Sequence, residues 1–257
     1  MRLSACIENA YMFTEHADIP ARIRAAQAAG LAMVEFHMWA DRDIDAIERA
    51  LRETGARLGC IVVNPRCGTA DASKRDYFVD AMTSSIAMAR RLGARAVVAA
   101  GGPAVAGATL AEQHAATVQL LKAIAPTAER AGIQIWLENL NSKIDHKGFY
   151  LDTAQECLEV IGEVGSPAVR LLYDIYHGVV MGESPREILK HVDLIGHVQV
   201  ADTNGRHEPG SGTIDWPQVM GALRASGYQG DIGLEYRPSG ETVASLAGTR
   251  RALGIQS

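Results

Sequence analysis

Apolar residues along the chain fall into short runs, and four of these runs end in an acidic or amide side chain. The four segments are IQIWLEN with Glu138, LLYDIYH with Asp174, IGHVQVAD with Gln199 and DIGLEYRP with Glu235. Neighbouring members of the set are separated by roughly 25 to 36 residues, which is what one strand, one helix and two short loops consume. The pattern therefore predicts one polar group per structural unit, placed where a buried strand ends.

Strand-like and helix-like segments alternate along the whole chain. Asp caps, closing glycines and apolar residues at helical spacing predict helices over 18–30, 43–55, 74–93, 110–132, 153–165, 185–191, 216–227 and 242–253. Short apolar runs predict strands over 3–7, 33–37, 60–64, 96–100 and 133–139, followed by the three strands that carry Asp174, Gln199 and Glu235. The chain thus reads as eight β-then-α units.

Eight such units predict an α/β fold that closes as a single (β/α)8 TIM barrel. Strands that alternate with helices pair in parallel through right-handed crossovers, and no linker composition divides residues 1–257 into two domains. A doubly wound sheet would carry a glycine-rich dinucleotide turn after its first strand. The segment GGPAVAG follows the fourth predicted strand and is not in GxGxxG register, so we expect no nucleotide cofactor. In a barrel the four polar groups converge at the C-terminal mouth.

Composition excludes several classes of protein. A net charge of −5 without a basic tract argues against nucleic acid as a partner. No apolar run approaches the roughly 18 residues of a membrane span, and the first residues carry no cleavage pattern, so we expect a cytoplasmic protein without a membrane partner. The four cysteines, Cys6, Cys60, Cys67 and Cys157, form no CxxC pair and are expected to be free, mostly buried thiols.

Three carboxylates at one barrel mouth need a compensating positive charge, because like charges raise each other's pKa. A divalent cation would supply it. If Gln199 coordinates through its carbonyl oxygen, all ligands are oxygens, and that set favours Mg²⁺ or Mn²⁺. His177 and His197 lie close enough in sequence to belong to the same mouth, each as a ligand or as a partner of one.

Five segments together resemble the hydroxypyruvate isomerase family, a branch of the xylose isomerase-like barrels. They are YDIYH, GHVQVAD, RHEPGSGTIDW at 206–216, YQG at 228–230 and EYRP at 235–238. The resemblance implies a divalent metal held by Glu138, Asp174, Gln199 and Glu235. It also implies that the two glutamates transfer protons and that His177 and Arg206 contact the substrate. Related barrels are often dimers or tetramers, so a homo-oligomer is a further expectation.

The resemblance, together with these residues, implies a metal-dependent isomerase that interconverts hydroxypyruvate and tartronate semialdehyde, or a closely related small keto or hydroxy acid. One carboxylate removes a proton beside a carbonyl, an enediolate forms, and the other carboxylate returns a proton to the neighbouring carbon. A 2-oxo-tetronate isomerase or a ketose epimerase uses the same scaffold. Two readings from other classes are a non-catalytic barrel that binds sugar acids and a DNA phosphodiesterase. The loop NPRCGTADASKRD departs from the family pattern. Because such loops shape the part of the pocket that selects the substrate, the resemblance supports the reaction class more strongly than the identity of the substrate.

Each candidate also has a purely structural interpretation. Glu138 and Glu235 could pair with neighbouring arginines, and Asp174 could cap a following helix. Gln199 and the two histidines could be satisfied core groups, and Arg206 could belong to a solvated charged loop. Four further residues stand at early strand ends without any ranking among them: Glu35, His37, Trp39 and Asn64.

Overall fold

A computed structural model describes residues 1–255 as one continuous α/β structure. Residues 256 and 257, the end of the predicted domain, lie outside the described residues. The strands are β1 (Leu3–Cys6), β2 (Met33–Glu35), β3 (Arg57–Leu58), β4 (Cys60–Val62), β5 (Ala96–Ala100), β6 (Gln134–Glu138), β7 (Val169–Asp174), β8 (Ile195–Val200) and β9 (Ile232–Leu234).

The nine strands are parallel and follow the order β3-β2-β1-β9-β8-β7-β6-β5-β4. Strand β4 corresponds to the third predicted strand, over 60–64, whereas β3 precedes it across Gly59 and was not predicted. Backbone hydrogen bonds from Gly59 N to Val34 O (2.8 Å) and from Val62 N to His37 O (3.0 Å) join the two ends of the sheet. The sheet is therefore a nearly closed barrel, and the prediction of a TIM barrel is confirmed.

The helices agree with the predicted segments in most units. They are α1 (Ile19–Ala28), α2 (Ile44–Thr54), α3 (Arg75–Leu92), α4 (Leu110–Ala131), α5 (Ala154–Val164), α6 (Ile175–Met181), α7 (Pro185–Ile188), α8 (Thr203–Arg206), α9 (Trp216–Ser226) and α10 (Thr242–Leu253). The single helix predicted over 185–191 is wrong. Only one turn of α-helix forms there, followed by a 3₁₀ segment at Leu189–Leu194 whose backbone is non-helical at His191. The short helix α6 follows β7 directly, and the short helix α8 begins after two further residues beyond β8; neither is among the predicted helices.

Alternate strand residues pack into two separate apolar clusters. Cys60, Val98, Trp136 and Leu172 belong to a small cluster, whereas their chain neighbours, such as Val97, belong to a large cluster that also includes helix residues. This period of two is what a barrel produces, with one face of each strand turned inward and the other toward the helices. The small cluster therefore fills the barrel interior.

Two expectations from composition concern the cysteines and membrane-spanning helices, and both can be compared with the described residues. All four cysteines are free; Cys6, Cys60 and Cys157 are buried and Cys67 is partly exposed. Within residues 1–255, no helix combines the length and apolarity that crossing a membrane requires.

Replacing Gly196 by alanine should destabilise the barrel. A Cβ atom at this position in β8 would lie 2.7 Å from Cδ1 of the buried Trp136 and 2.9 Å from Cβ of Arg170. We expect a loss of about 1–3 kcal/mol in the free energy of unfolding, measured by urea denaturation. Gly162→Ala is the control, because that glycine is at an exposed position of helix α5 with open space around it. This substitution should raise the free energy of unfolding by about 0.5–1 kcal/mol. Equal effects of the two substitutions would contradict this account.

Candidate active site

The predicted polar residues lie at the carboxyl ends of consecutive strands. Glu138 ends β6 and Asp174 ends β7, where it is paired in register with Gln199 of β8. Glu235 directly follows β9. Because the strands are parallel, these ends meet on one rim of the barrel. A cavity of about 460 Å³ opens there, and Glu138 and Glu235 line it.

Asp174 serves both the local fold and the site. Its Oδ1 accepts a hydrogen bond from the backbone N of His177 (3.1 Å) and caps α6, while its Oδ2 lies 3.2 Å from Nη2 of Arg206. The side chain of Asn139 bonds to the backbone N and O of Asp174, at 3.1 Å each, and holds the strand end in place. Burial raises the pKa of Asp174 to about 7. The structural interpretation as a cap and the predicted place in the acidic cluster therefore both hold for Asp174.

The two glutamates differ in their electrostatic surroundings. Burial and the nearby carboxylates of Glu235 and Asp174 raise the pKa of Glu138 well above its usual range. Burial also acts on Glu235, but the guanidinium of Arg206 and a hydrogen bond from His37 outweigh it and lower the pKa of Glu235. The rim thus holds two glutamates with opposite tendencies to keep a proton.

Arg206 lies at the centre of the acidic cluster. Its Nη2 contacts the carboxylates of both Asp174 and Glu235, and its Nε lies 3.3 Å from the backbone O of Glu235. The guanidinium lies over the rings of Tyr11 (5.4 Å) and Tyr176 (5.3 Å). With 4% of its surface exposed, Arg206 does not belong to a solvated charged loop, so that interpretation is wrong.

A histidine and an arginine at early loops complete the wall of the cavity. Nε2 of His37 lies 2.8 Å from Oε1 of Glu235, and Nδ1 of His37 lies 3.2 Å from Nη2 of Arg66. His37 stood at a predicted strand end without being ranked, and Arg66 was missed. No spacing signal marks Arg66, because it sits in an irregular loop after β4 and is brought to the mouth only by the fold.

Gln199 is held through its amide nitrogen by a carboxylate that does not belong to the cluster of Glu138, Asp174 and Glu235. Its Nε2 donates to Oε2 of Glu35 (3.0 Å), and Oε1 of Glu35 lies 2.9 Å from Nε2 of His197. The His197 ring stacks on Trp136 at 4.7 Å inside the barrel. Although burial opposes ionisation, His197 and its hydrogen bond lower the pKa of Glu35 to about 2. Within the described chain, Oε1 of Gln199 is buried and has no hydrogen-bond partner.

The site groups can present ligand atoms to a cation at two neighbouring places, oxygen and nitrogen at the first and also sulfur at the second. Ligand atoms of Glu138, Asp174 and His177 lie within 4.8 Å of one another. A second set with the same property consists of Cys6, His37 and Glu235. Arg206 lies between the two sets, since it contacts Asp174 of the first and Glu235 of the second. The structure thus gathers Glu138, Asp174, Glu235, His177 and Arg206 at one mouth, and places Gln199 on the adjoining strand.

A parallel barrel of eight β-then-α units with an acidic cluster at its C-terminal mouth has the architecture of a TIM-barrel enzyme. The family described as "Xylose isomerase-like TIM barrel" matches residues 23–253. The chain belongs to this family.

Two curated relatives and one solved structure cover nearly all of the chain. Hydroxypyruvate isomerase of Escherichia coli (strain K12) is 31% identical, over 91% of this chain and 93% of the relative. A 2-oxo-tetronate isomerase of Cupriavidus necator is 28% identical, over 95% of this chain and 96% of the relative. A crystal structure from Brucella melitensis, described as an AP endonuclease of family 2, superposes with a TM-score of 0.89 at 28% identity, over 97% of this chain and 98% of that chain. The named relatives support an enzyme of the isomerase class.

Removing the charge of Arg206 should destabilise the protein strongly. In Arg206→Met, Asp174 and Glu235 lose their buried counter-charge, so we expect the free energy of unfolding to fall by about 3–5 kcal/mol. Urea denaturation near neutral pH measures the change. Arg237→Met is the matched control, since this exposed arginine lines the same cavity but forms no ion pair within residues 1–255. A cost for Arg206→Met no larger than the control's would refute the central role of this guanidinium.

Proposed function

We propose that the protein is a metal-dependent isomerase that interconverts hydroxypyruvate and tartronate semialdehyde, or a closely related small keto or hydroxy acid. The observation that carries this proposal is the presence of Glu138 and Glu235 on the wall of one cavity, with Asp174 and Arg206 between them. A carboxylate on either side of a bound carbon skeleton is what a proton shuttle between neighbouring carbons requires.

The side chains present fit a divalent cation. The three carboxylates of Glu138, Asp174 and Glu235 are only partly compensated by the guanidinium of Arg206, and the unpartnered Oε1 of Gln199 adds a neutral oxygen. We propose these four residues as the ligands, and an all-oxygen set favours Mg²⁺ or Mn²⁺. When bound, the cation supplies positive charge that stabilises the negative charge developing on substrate oxygens.

The two glutamates would perform the proton transfers. One carboxylate removes a proton from C3 of hydroxypyruvate, and the electron pair of the C–H bond becomes part of an enediolate. The other carboxylate delivers a proton to C2, while the proton of the C3 hydroxyl moves to the oxygen on C2. Carbon, hydrogen and electrons balance without a redox cofactor. Buried His177 and Arg206 are proposed to contact substrate oxygens, because both face the acidic cluster.

An acidic mouth must still attract an anionic substrate, and Arg66 can supply that attraction. The guanidinium of Arg206 is already held by two carboxylates, whereas Arg66 has no carboxylate partner within the part of the chain that the structure describes. Its contact with His37 places it beside Glu235, and its charge also acts on Glu138. We propose that Arg66 binds the substrate carboxylate, because a guanidinium forms paired hydrogen bonds with a carboxylate.

The alternatives differ in how well the cavity suits them. A 2-oxo-tetronate isomerase or a ketose epimerase would use the same glutamates. The similarity to the Cupriavidus necator relative supports 2-oxo-tetronate isomerase as the second candidate function. A non-catalytic sugar-acid barrel leaves the paired glutamates unexplained. A DNA phosphodiesterase calls for a basic groove, and a cavity of about 460 Å³ on a chain of net charge −5 suits a small molecule better. The single domain to residue 257, the cytoplasmic location and the homo-oligomer stay predictions.

Glu138→Gln and Glu235→Gln should each lower turnover of hydroxypyruvate by about 10²–10⁴-fold, because amides do not accept the proton. The measurement is NMR in deuterium oxide, which follows both product formation and deuterium entering the substrate carbon. Circular dichroism should show folded variants. Glu53→Gln is the control, since it changes a carboxylate of a surface ion pair with Arg24. Near-normal turnover in both site variants would dispose of the proposal, and so would the absence of deuterium exchange in the metal-loaded wild type.

Arg66→Ala should raise the KM for hydroxypyruvate by about tenfold while changing kcat less, because a charge-assisted hydrogen bond to the substrate is lost in both ground and transition states. Inhibition by tartronate should weaken by a similar factor, and inhibition by the uncharged dihydroxyacetone should not change. Arg237→Ala provides the comparison, as Arg237 lines the same cavity without contacting His37. If Arg237→Ala has the larger effect on tartronate, the carboxylate site is assigned to the wrong arginine.

A further inference from the structure

The loop after β6 contains an asparagine whose orientation the backbone determines. Oδ1 of Asn141 accepts hydrogen bonds from the backbone N of Ile144 and of Asp145, each at 3.0 Å. Rotating the amide by half a turn would set its NH₂ group against two backbone N–H donors. The oxygen and nitrogen of this side chain are therefore fixed by the loop itself.

The amide nitrogen of Asn141 uses its two hydrogens on two different partners. One partner is Oδ2 of Asp145 at 2.7 Å, which also accepts from the hydroxyl of Tyr176 at 2.7 Å. The other is Nδ1 of His177 at 2.5 Å. Because the amide nitrogen only donates, Nδ1 of His177 must present its lone pair toward the loop.

The proton of the His177 ring is then confined to the opposite nitrogen. An imidazole with a lone pair at Nδ1 is neutral and carries a single proton, on its other nitrogen. That proton lies on Nε2. Within residues 1–255, Nε2 is buried without a hydrogen-bond partner, and it stands 3.5 Å from Oδ2 of Asp174 at the acidic rim.

We propose that Asn141 is a positioning residue that holds His177 in the Nε2–H tautomer, so that the imidazole offers a hydrogen-bond donor to a substrate oxygen and is excluded as a metal ligand. The first part depends only on the hydrogen-bond network, and the donation to substrate rests on the proposed isomerase function. A metal ligand needs a free lone pair at the nitrogen that faces the cation. Of the three side chains that meet here, the imidazole of His177 thus serves the substrate, and the carboxylates of Glu138 and Asp174 serve the cation.

The tautomer can be measured without any activity. In protein labelled with ¹⁵N on the histidine rings, a two-bond ¹H–¹⁵N correlation spectrum separates protonated from unprotonated ring nitrogens, and His177→Gln assigns the His177 signals among the eight histidines. We expect a protonated Nε2 and an unprotonated Nδ1, both before and after addition of Mg²⁺. A protonated Nδ1 in the wild type would overturn the proposal, and so would loss of the Nε2 proton on adding Mg²⁺.

Asn141→Asp tests the role of the amide directly. A carboxylate at this position accepts rather than donates, so we expect Nδ1 of His177 to become protonated and kcat/KM for hydroxypyruvate to fall by about tenfold. Tyr176→Phe is the matched control, because it removes one hydrogen bond from the same network without touching Nδ1 and should leave the ring signals unchanged. An unchanged His177 spectrum in Asn141→Asp, or the same change in Tyr176→Phe, would refute the assignment.

In Asn141→Asp the new carboxylate would face that of Asp145, and this variant could fail to fold. A second variant therefore tests the same point without that repulsion. The exchange variant Asn141→Asp with Asp145→Asn keeps one amide and one carboxylate in the network and should give the same protonated Nδ1. Wild-type protein that shows the Nε2 proton but no turnover of hydroxypyruvate would refute the proposed function and leave the tautomer assignment standing. Turnover of hydroxypyruvate by wild-type protein whose His177 is protonated at Nδ1 would refute the tautomer assignment and leave the proposed function standing.

Discussion

The crowding of three carboxylates around one guanidinium is the constraint on which the rest of the site depends. Glu138, Asp174 and Glu235 are brought to one rim by parallel strands, and a barrel interior offers little solvent to separate their charges. Arg206 compensates part of this charge by direct contact with two of them. Burial and the remaining negative charge raise the pKa of Glu138, and that charge also makes the mouth a place where a cation is favoured.

The polar groups beneath and beside this rim fix the direction in which the site residues present their atoms. Glu35 holds the amide nitrogen of Gln199, which leaves the carbonyl oxygen of Gln199 unpartnered, and Asn141 holds one nitrogen of His177. In both hydrogen bonds the direction is fixed, because the carboxylate of Glu35 only accepts and the amide nitrogen of Asn141 only donates. A side-chain amide and a neutral imidazole each carry one donor group and one acceptor atom. The supporting residue binds one of the two and thereby decides which is left for the substrate or the cation.

The inward position of Arg206 depends on an irregular segment of backbone. The short helix α8 contains left-handed backbone at Asn204, Gly205 and Arg206 itself. This path turns the guanidinium inward, over the rings of Tyr11 and Tyr176 and onto the carboxylates. A regular helix of the same sequence would carry the side chain elsewhere, which is why neither helical spacing nor charge pattern indicated a buried arginine.

The sequence by itself determined the alternation of strands and helices, the barrel, and the set of polar groups at strand ends. These features depend on local spacing, caps and buried runs, which act over a few residues. Only the tertiary structure decided that Asp174 caps a helix as well as facing the site, that Arg66 reaches the mouth, and that Glu35 and Asn141 orient Gln199 and His177. The partners in those contacts are between 3 and 164 residues apart. The direction of a side chain depends on such neighbours, and their positions exist only once the barrel has closed.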